Sequence, residues 1–250
     1  MTDVASGTAN IWWLGQGSFV FEGIHSGPLV VDPYLSNSVG DTGGPRRLFP
    51  VPVAPGDLRV SAIWLTHDHI DHTDPHTLPA LVAANPDAPI FATPESVAHL
   101  AKLGIEGASV HPIERNTRYD LPGVTVHTTH AEHTPDSVGL VFVFEQGPTL
   151  YHTADTEYFE SIADAKRFTP DLLSICINGR WGNMNIADAV RVTKAIAPRY
   201  VLPMHWGLFA ENTADPQEFV RELQASGSVA EPVLLPANGL ARYTVSRPVA

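Results

Sequence analysis

The 250-residue chain has one cysteine, few basic residues and no long apolar run. Each scarcity excludes something. A lone thiol, Cys176, builds neither a disulfide framework nor a thiolate metal cluster, and within LLSICI it reads as a small buried hydrophobe. Fifteen Lys and Arg against twenty-seven Asp and Glu leave a formal net charge of −12 at pH 7. The cations are scattered singly or in pairs such as Arg46-Arg47, so a phosphate backbone would be repelled and nucleic acid is not an expected partner. No stretch approaches the ~18 apolar residues needed to span a bilayer, and MTDVASGTAN lacks the basic start and apolar middle of a secretory signal. No membrane partner is expected, and a cytoplasmic location is. No low-complexity segment or linker divides the sequence, which predicts a single domain over residues 1–250 and leaves assembly into a homo-oligomer open.

What the chain does have is short runs of Val, Ile, Leu, Phe and Trp punctuated by Gly, Pro, Asp and Asn. IWWLG (11–15), SFVFEG (18–23), PLVVDP (28–33), SAIWL (61–65) and APIFAT (88–93) read as strands. So do GVTVHTT (123–129), VGLVFVFE (138–145), PTLYHT (148–153), DLLSICIN (171–178), RYVLPM (199–204), EPVLLP (231–236) and LARYTV (240–245). Helices are expected after an Asp74-Pro75 cap, over PESVAHLAKLG as far as Gly104, after Asn185 with Ile186, Val190, Thr193 and Ala197 on one face, and from Asp215-Pro216. Strand blocks with interspersed helices in both halves predict two packed sheets covered outside by helices. Residues 36–56, rich in Gly and Pro without periodicity, read as a long functional or mobile loop.

Three of the twelve histidines fall in WLTHDHIDHTD (64–74), directly after a buried strand. In extended backbone His67, His69 and Asp71 share one side, and His72 follows as the chain turns, aimed at a neighbouring point. The pattern H-x-H-x-D-H suits two adjacent metal ions, and imidazole with carboxylate suits Zn, Mn, Fe or Co. Further donors occur beside other strands: His133 in HAEHTPDSVG, Asp155 in LYHTADTEY and His205 in VLPMHWG.

That order of motifs, with VVDPYLS (30–36) ahead of it, resembles the metallo-β-lactamase superfamily. The resemblance covers nearly the whole chain and implies an α/β fold of the four-layer αββα sandwich type. It implies His67, His69 and His133 on one divalent ion, Asp71, His72 and His205 on a second, and Asp155 bridging. TLYHTADTEY and IADAVRVTKAIAPRYVLPMHWGLFAENTADPQEF look most like the L-ascorbate-6-phosphate lactonase group. Gln16 stands where relatives often have His, Ala154 where Gly is usual, and the chain is shorter than that lactonase. Two Zn or Mn ions, with Fe an option, would activate water as hydroxide, with Asp71 orienting it and carrying the proton. The expected reaction is hydrolysis of a carboxylic ester or lactone in a small, phosphorylated or acidic molecule. A phosphodiesterase with the same metals, or a non-catalytic metal-containing binding module, are the alternatives.

Around this set, His127 and His130 compete with His133 for its role, and the TPDSVG turn favours His133. His152 is either an orienting partner of Asp155 or a strand-end packing residue, and Asp32 either buttresses the metal loop or marks a turn. His25, His76, His99 and His111 read as surface or packing residues. In NGRWGNMN (178–185), Arg180 is a candidate grip on a carboxylate or phosphate, Trp181 a pocket wall, and Asn183 or Asn185 a donor to a developing oxyanion, against a plain loop with Asn185 as helix cap. Trp206 and Phe209 read equally as wall or core.

Overall fold

The computed structural model describes residues 4–239 and 241–247. Six strands open the chain: β1 (Thr8–Gly15), β2 (Ser18–Gly23), β3 (Gly27–Val31), β4 (Ala62–Leu65), β5 (Ile90–Ala92) and β6 (Val110–Pro112). Seven more follow as β7 (Arg118–Leu121), β8 (Val124–His130), β9 (Val138–Phe144), β10 (Thr149–His152), β11 (Leu172–Cys176), β12 (Tyr200–Met204) and β13 (Glu231–Pro232), and β14 (Arg242–Ser246) returns to pair with β1. The two sheets run β14-β1-β2-β3-β4-β5-β6 and β13-β12-β11-β10-β9-β8-β7.

Alternation along the strands of the first sheet explains their unbroken apolar character. Ile11, Trp13, Phe19, Phe21, Leu29, Val31 and Trp64 face the second sheet, where they meet Val126, Leu140 and Phe142. Val20, Val30, Ile63 and Leu65 point the other way, under Leu78, Leu81 and Leu100 of the helices α2 (Leu78–Ala84) and α3 (Pro94–Lys102), which follow the short α1 (Ser38–Asp41). Both faces are buried and mostly apolar, and the polar residues they take in are paired, as Asn10 Nδ2 is with Glu22 Oε2 (3.5 Å). On the far side of the second sheet, α4 (Ile186–Ile196) and α5 (Pro216–Ala225) bury Val192, Ile196, Phe219 and Leu223. The architecture is the four-layer αββα sandwich. Among the described residues no helix is long and apolar enough to cross a membrane.

Several local expectations need correction. β6 and β7 are absent from the apolar runs because they are sheet edges with half their residues exposed, VHP and RYDL. EPVLLP pairs only over Glu231–Pro232, since its two prolines cannot donate to a ladder. Leu240, in the last expected strand, lies outside the described residues, and pairing there covers Thr8–Trp12 against Arg242–Ser246. Asp74 does not cap α2: its carboxylate accepts from the His76 N–H (3.0 Å) and the Thr77 hydroxyl, making a turn after which the helix starts at Leu78. The 36–56 loop carries α1 and a 3-10 turn at Pro55–Asp57, and is pinned by Arg47 Nη1 to the Tyr34 carbonyl (2.9 Å) and Leu48 N–H to the Leu208 carbonyl (2.9 Å). Ala197 falls beyond α4, at its left-handed C-cap, and Glu160–Phe168 forms a 3-10 helix that the strand-and-helix reading passed over.

β3, β4 and β5 are mutually parallel, as are β10, β11 and β12. Their carboxyl ends therefore deliver Asp32, the 66–73 loop, Asp155, the 178–185 loop and His205 to one rim, the usual place for ligands in sheets of this kind.

Candidate metal centre

Three imidazoles converge at the mouth of this rim. His69 Nδ1 lies 3.1 Å from His67 Nε2 and 3.0 Å from His133 Nε2. The rings stand nearly perpendicular to one another, at 81°, 83° and 85°, with centroids 4.7–4.8 Å apart. Deeper in, Asp71, His72 and His205 form a second group with donor atoms within 4.8 Å. Asp155 Oδ2 sits between the groups, 3.1 Å from His205 Nε2, 3.5 Å from His72 Nε2 and 3.8 Å from His133 Nε2. A tetrahedral ion with ~2.0–2.1 Å bonds holds its donors about 3.3 Å apart, so these separations fit. His72 Nε2 and Asp155 Oδ1, both buried, make no hydrogen bond, which is costly in a protein interior unless a cation sits beside them.

Four of these residues are oriented from behind. His72 Nδ1 meets Asp32 Oδ2 at 2.8 Å, while Asp32 accepts from the Thr66 N–H (2.8 Å) and hydroxyl (2.6 Å), so Asp32 does buttress the loop. With Nδ1 occupied, His72 presents Nε2 to the site. The His133 Nδ1–H donates to the Gly182 carbonyl (2.9 Å), and His67 Nδ1 lies 3.0 Å from the Thr66 hydroxyl. The Asn183 amide donates to Asp155 Oδ2 (2.9 Å), which directs it to the carboxylate instead of to the mouth. His152 does not touch Asp155: its Nε2–H donates to the Gly17 carbonyl (2.9 Å) and its Nδ1 accepts from the Ala154 N–H (2.8 Å), tying the β1–β2 turn to the end of β10.

Electrostatics divide the two groups. Complete burial, reinforced by His72, holds His67 well below the usual histidine range, and partial burial with His72 and His133 lowers His69, so both offer neutral lone pairs. At His72 burial also works against the cation, but the carboxylates of Asp155, Asp32 and Asp71 outweigh it and raise the group well above its ordinary value. Burial likewise opposes the charge on Asp155, and His205 and His72 overcome it, keeping the carboxyl ionised.

The remaining sequence candidates are placed as follows. His130 pairs with Glu132 (2.8 Å) and His127 packs on Phe168, both away from the imidazole cluster. Arg180 has an exposed side chain, and only its carbonyl is used, by Asn183 N–H and Asn178 Nδ2. Trp181 is 62% exposed with a left-handed φ of 52°. Asn185 caps α4, accepting from the Asp188 N–H at 2.9 Å. Phe209 is buried against Tyr34 and Trp206 packs on Trp13, so both belong to the packing.

Sequence reasoning missed the turn Gly15-Gln16-Gly17. Gly17 lies so close to His72 that a Cβ there would stand 2.7 Å from Cε1, and the Gln16 amide sits 3.2 Å from His205 Nδ1. A Gly-x-Gly between two strong strands was the available signal, legible only as a turn. His99, read as surface or packing, is a hydrogen-bond partner of Asp68 at 2.7 Å.

Comparisons with known proteins agree with this geometry. A family model described as a beta-lactamase superfamily domain matches residues 29–206. A UPF0173 metal-dependent hydrolase from Pyrobaculum neutrophilum is 31% identical over 86% of this chain and 92% of its own length. Among solved structures, Igni18, a metallo hydrolase from Ignicoccus hospitalis, superposes with a TM-score of 0.78 at 21% identity, covering 96% of this chain and all of its own. An isothiocyanate hydrolase from Delia radicum gut bacteria gives 0.73 at 20% identity, covering 95% and 98%. The chain belongs to the metallo-β-lactamase superfamily and, within it, to the UPF0173 family of metal-dependent hydrolases.

Proposed function

We propose that the protein is a dinuclear hydrolase that cleaves a carboxylic ester or lactone in a small molecule. The observation that carries the dinuclear reading is Asp155 Oδ2, lying within 3.1–3.8 Å of imidazoles from both donor groups. His67, His69 and His133 would hold one ion, Asp71, His72 and His205 the other, with Asp155 shared; Zn or Mn suits these donors, and Fe is compatible. Divalent cations would supply Lewis acidity there and lower the pKa of water toward ~7.

The chain's own groups do the rest. Asp71 is the most open carboxylate of the centre, its side chain 17% exposed against 5% for Asp155 and none for Asp32. It is therefore placed to take a proton from water and pass it to a leaving oxygen, while Asp32 and Asp155 stay committed to histidines. Trp181, exposed beside the Gly182 carbonyl that holds His133, offers an apolar wall to the substrate, and Arg180 a cation at the loop surface. A carbonyl is the preferred reacting centre over a phosphate. The likeness to the lactonase group in TLYHTADTEY supports the same choice, and the isothiocyanate hydrolase neighbour gives hydrolysis at carbon a precedent on this fold.

The test is the initial rate of the Zn- or Mn-loaded protein on a panel of lactones and esters beside a phosphodiester. Metal-dependent carbonyl hydrolysis, reduced ~10²–10⁴-fold in Asp71→Ala and lost in His133→Ala, is expected. Preference for the phosphodiester would transfer the site to that chemistry, and metal binding without turnover of either would make it a binding module.

A further inference from the structure

His67 and His69 hang from the first sheet and His133 from the second, and one helix is wired to both. At its amino end, Asp136, in the turn after His133, accepts the Glu95 N–H at 2.8 Å and the Thr134 hydroxyl at 3.2 Å. At the next residue, Ser96 Oγ is 2.9 Å from the Thr73 hydroxyl, which donates to the His67 carbonyl (3.0 Å), and Thr93 donates to Ser96 (3.1 Å). Thr73, Thr93 and Ser96 are fully buried. One further turn on, His99 Nδ1 lies 2.7 Å from Asp68 Oδ1, the carboxylate between His67 and His69 that points away from the site.

We propose that α3 is the positioning element of the three-histidine site, with His99, Ser96 and Asp136 fixing the distance between the His67/His69 pair and His133. This rests on the metal reading above. A helix of nine residues is a stiff rod, and three links spaced along it leave the two loops little freedom to slide relative to each other. None of the three residues touches the cluster, so they act only through the donors. Outer partners of this kind are typically worth ~10–100-fold in metal affinity.

The experiment measures Zn affinity by competition with a chromophoric chelator, in a full-length Asp71→Ala/His205→Ala background that leaves the three histidines, Asp155 and, of the second group, His72 alone. Added His99→Ala or Asp136→Ala is expected to weaken binding ~10–100-fold. His99→Gln, which keeps a donor to Asp68, and Asp136→Asn, which keeps an acceptor for the Glu95 N–H, are expected to recover most of it. Lys102→Ala, on the exposed end of α3, serves as the control and is expected to leave affinity unchanged. Thermal unfolding of the metal-free variants separates positioning from general damage. Unchanged affinity in both alanine variants would overturn the proposal, as would losses that track the fall in metal-free Tm and resist the conservative replacements. If the unsubstituted protein takes up no metal, the metal-centre reading itself fails and takes this inference with it.

Discussion

Two glycines mark how little room the donors have. A Cβ at Gly17 would lie 2.7 Å from His72 Cε1, and one at Gly182 2.8 Å from His133 Nδ1. Neither ring can step aside, because His72 is fixed by Asp32 and His133 by the Gly182 carbonyl itself. If the two groups each take an ion as proposed, Gly17→Ala is therefore expected to weaken the one that Asp71, His72 and His205 would hold, and Gly182→Ala the one that the three histidines would hold, each by at least ~10-fold in a chelator competition. Equal effects on both ions from either change would contradict the two-group arrangement. Cys176 supplies a simpler check. Burial pushes its thiol up to about 12, so at pH 8 it should resist alkylation in the native protein and react at once in denaturant. At this scale the sequence singled out the seven residues that the fold brings together, since His and Asp at strand ends announce their chemistry. It concealed Gly17, His99 and Asp136, whose contacts are with partners distant in the chain, and it marked Gln16 without its neighbour His205.

The elements were legible where burial is two-sided and obscure where it is not. β1 to β4 each carry an unbroken run of at least three apolar residues, and the eye finds them; β6 and β7, largely exposed at sheet edges, leave no such trace. Helix starts were readable when a cap does one job, as Asn185 does for α4, and misread when Asp74 closed a turn instead. Removing the α4 cap by Asn185→Ala should cost about 1 kcal/mol, a fall in Tm of ~2–4 °C for a chain this long, read by calorimetry. A larger loss, accompanied by reduced metal content, would mean that the cap also holds Gly179 and the 178–185 loop in place.

Across the whole molecule, stability and the site are linked through proton and metal binding. His152, fully buried, is lowered by burial first, and both its ring nitrogens are used in the neutral form, one donating to Gly17 and one accepting from Ala154. Its folded value lies below the unfolded value of ~6.5, so the unfolded chain binds the proton more readily. The contribution is complete above pH ~6.5 and is lost as pH falls through the folded value. Metal-free protein should thus unfold more easily on acidification below that point, and His152→Asn should flatten part of this slope in urea titrations at pH 5 and 7. Metal removal acts on the same balance: a ligand at ~1,000 times its Kd adds ~4 kcal/mol, so stripping bound metal should lower Tm well beyond any single cap loss.

The donors are also far apart in time. His67, His69 and His72 leave the ribosome as a flexible HDHIDH peptide long before β8, β10 and β12 exist to bring His133, Asp155 and His205 to them. A peptide of that kind ranks metals by intrinsic affinity, with Cu(II) foremost, whereas the closed sandwich imposes three perpendicular rings and a shared carboxylate on whatever arrives. Protein refolded in the presence of copper and protein folded first and loaded afterwards should then carry different metals from the same mixture. The ion in this site is a record of whether folding or metal supply came first.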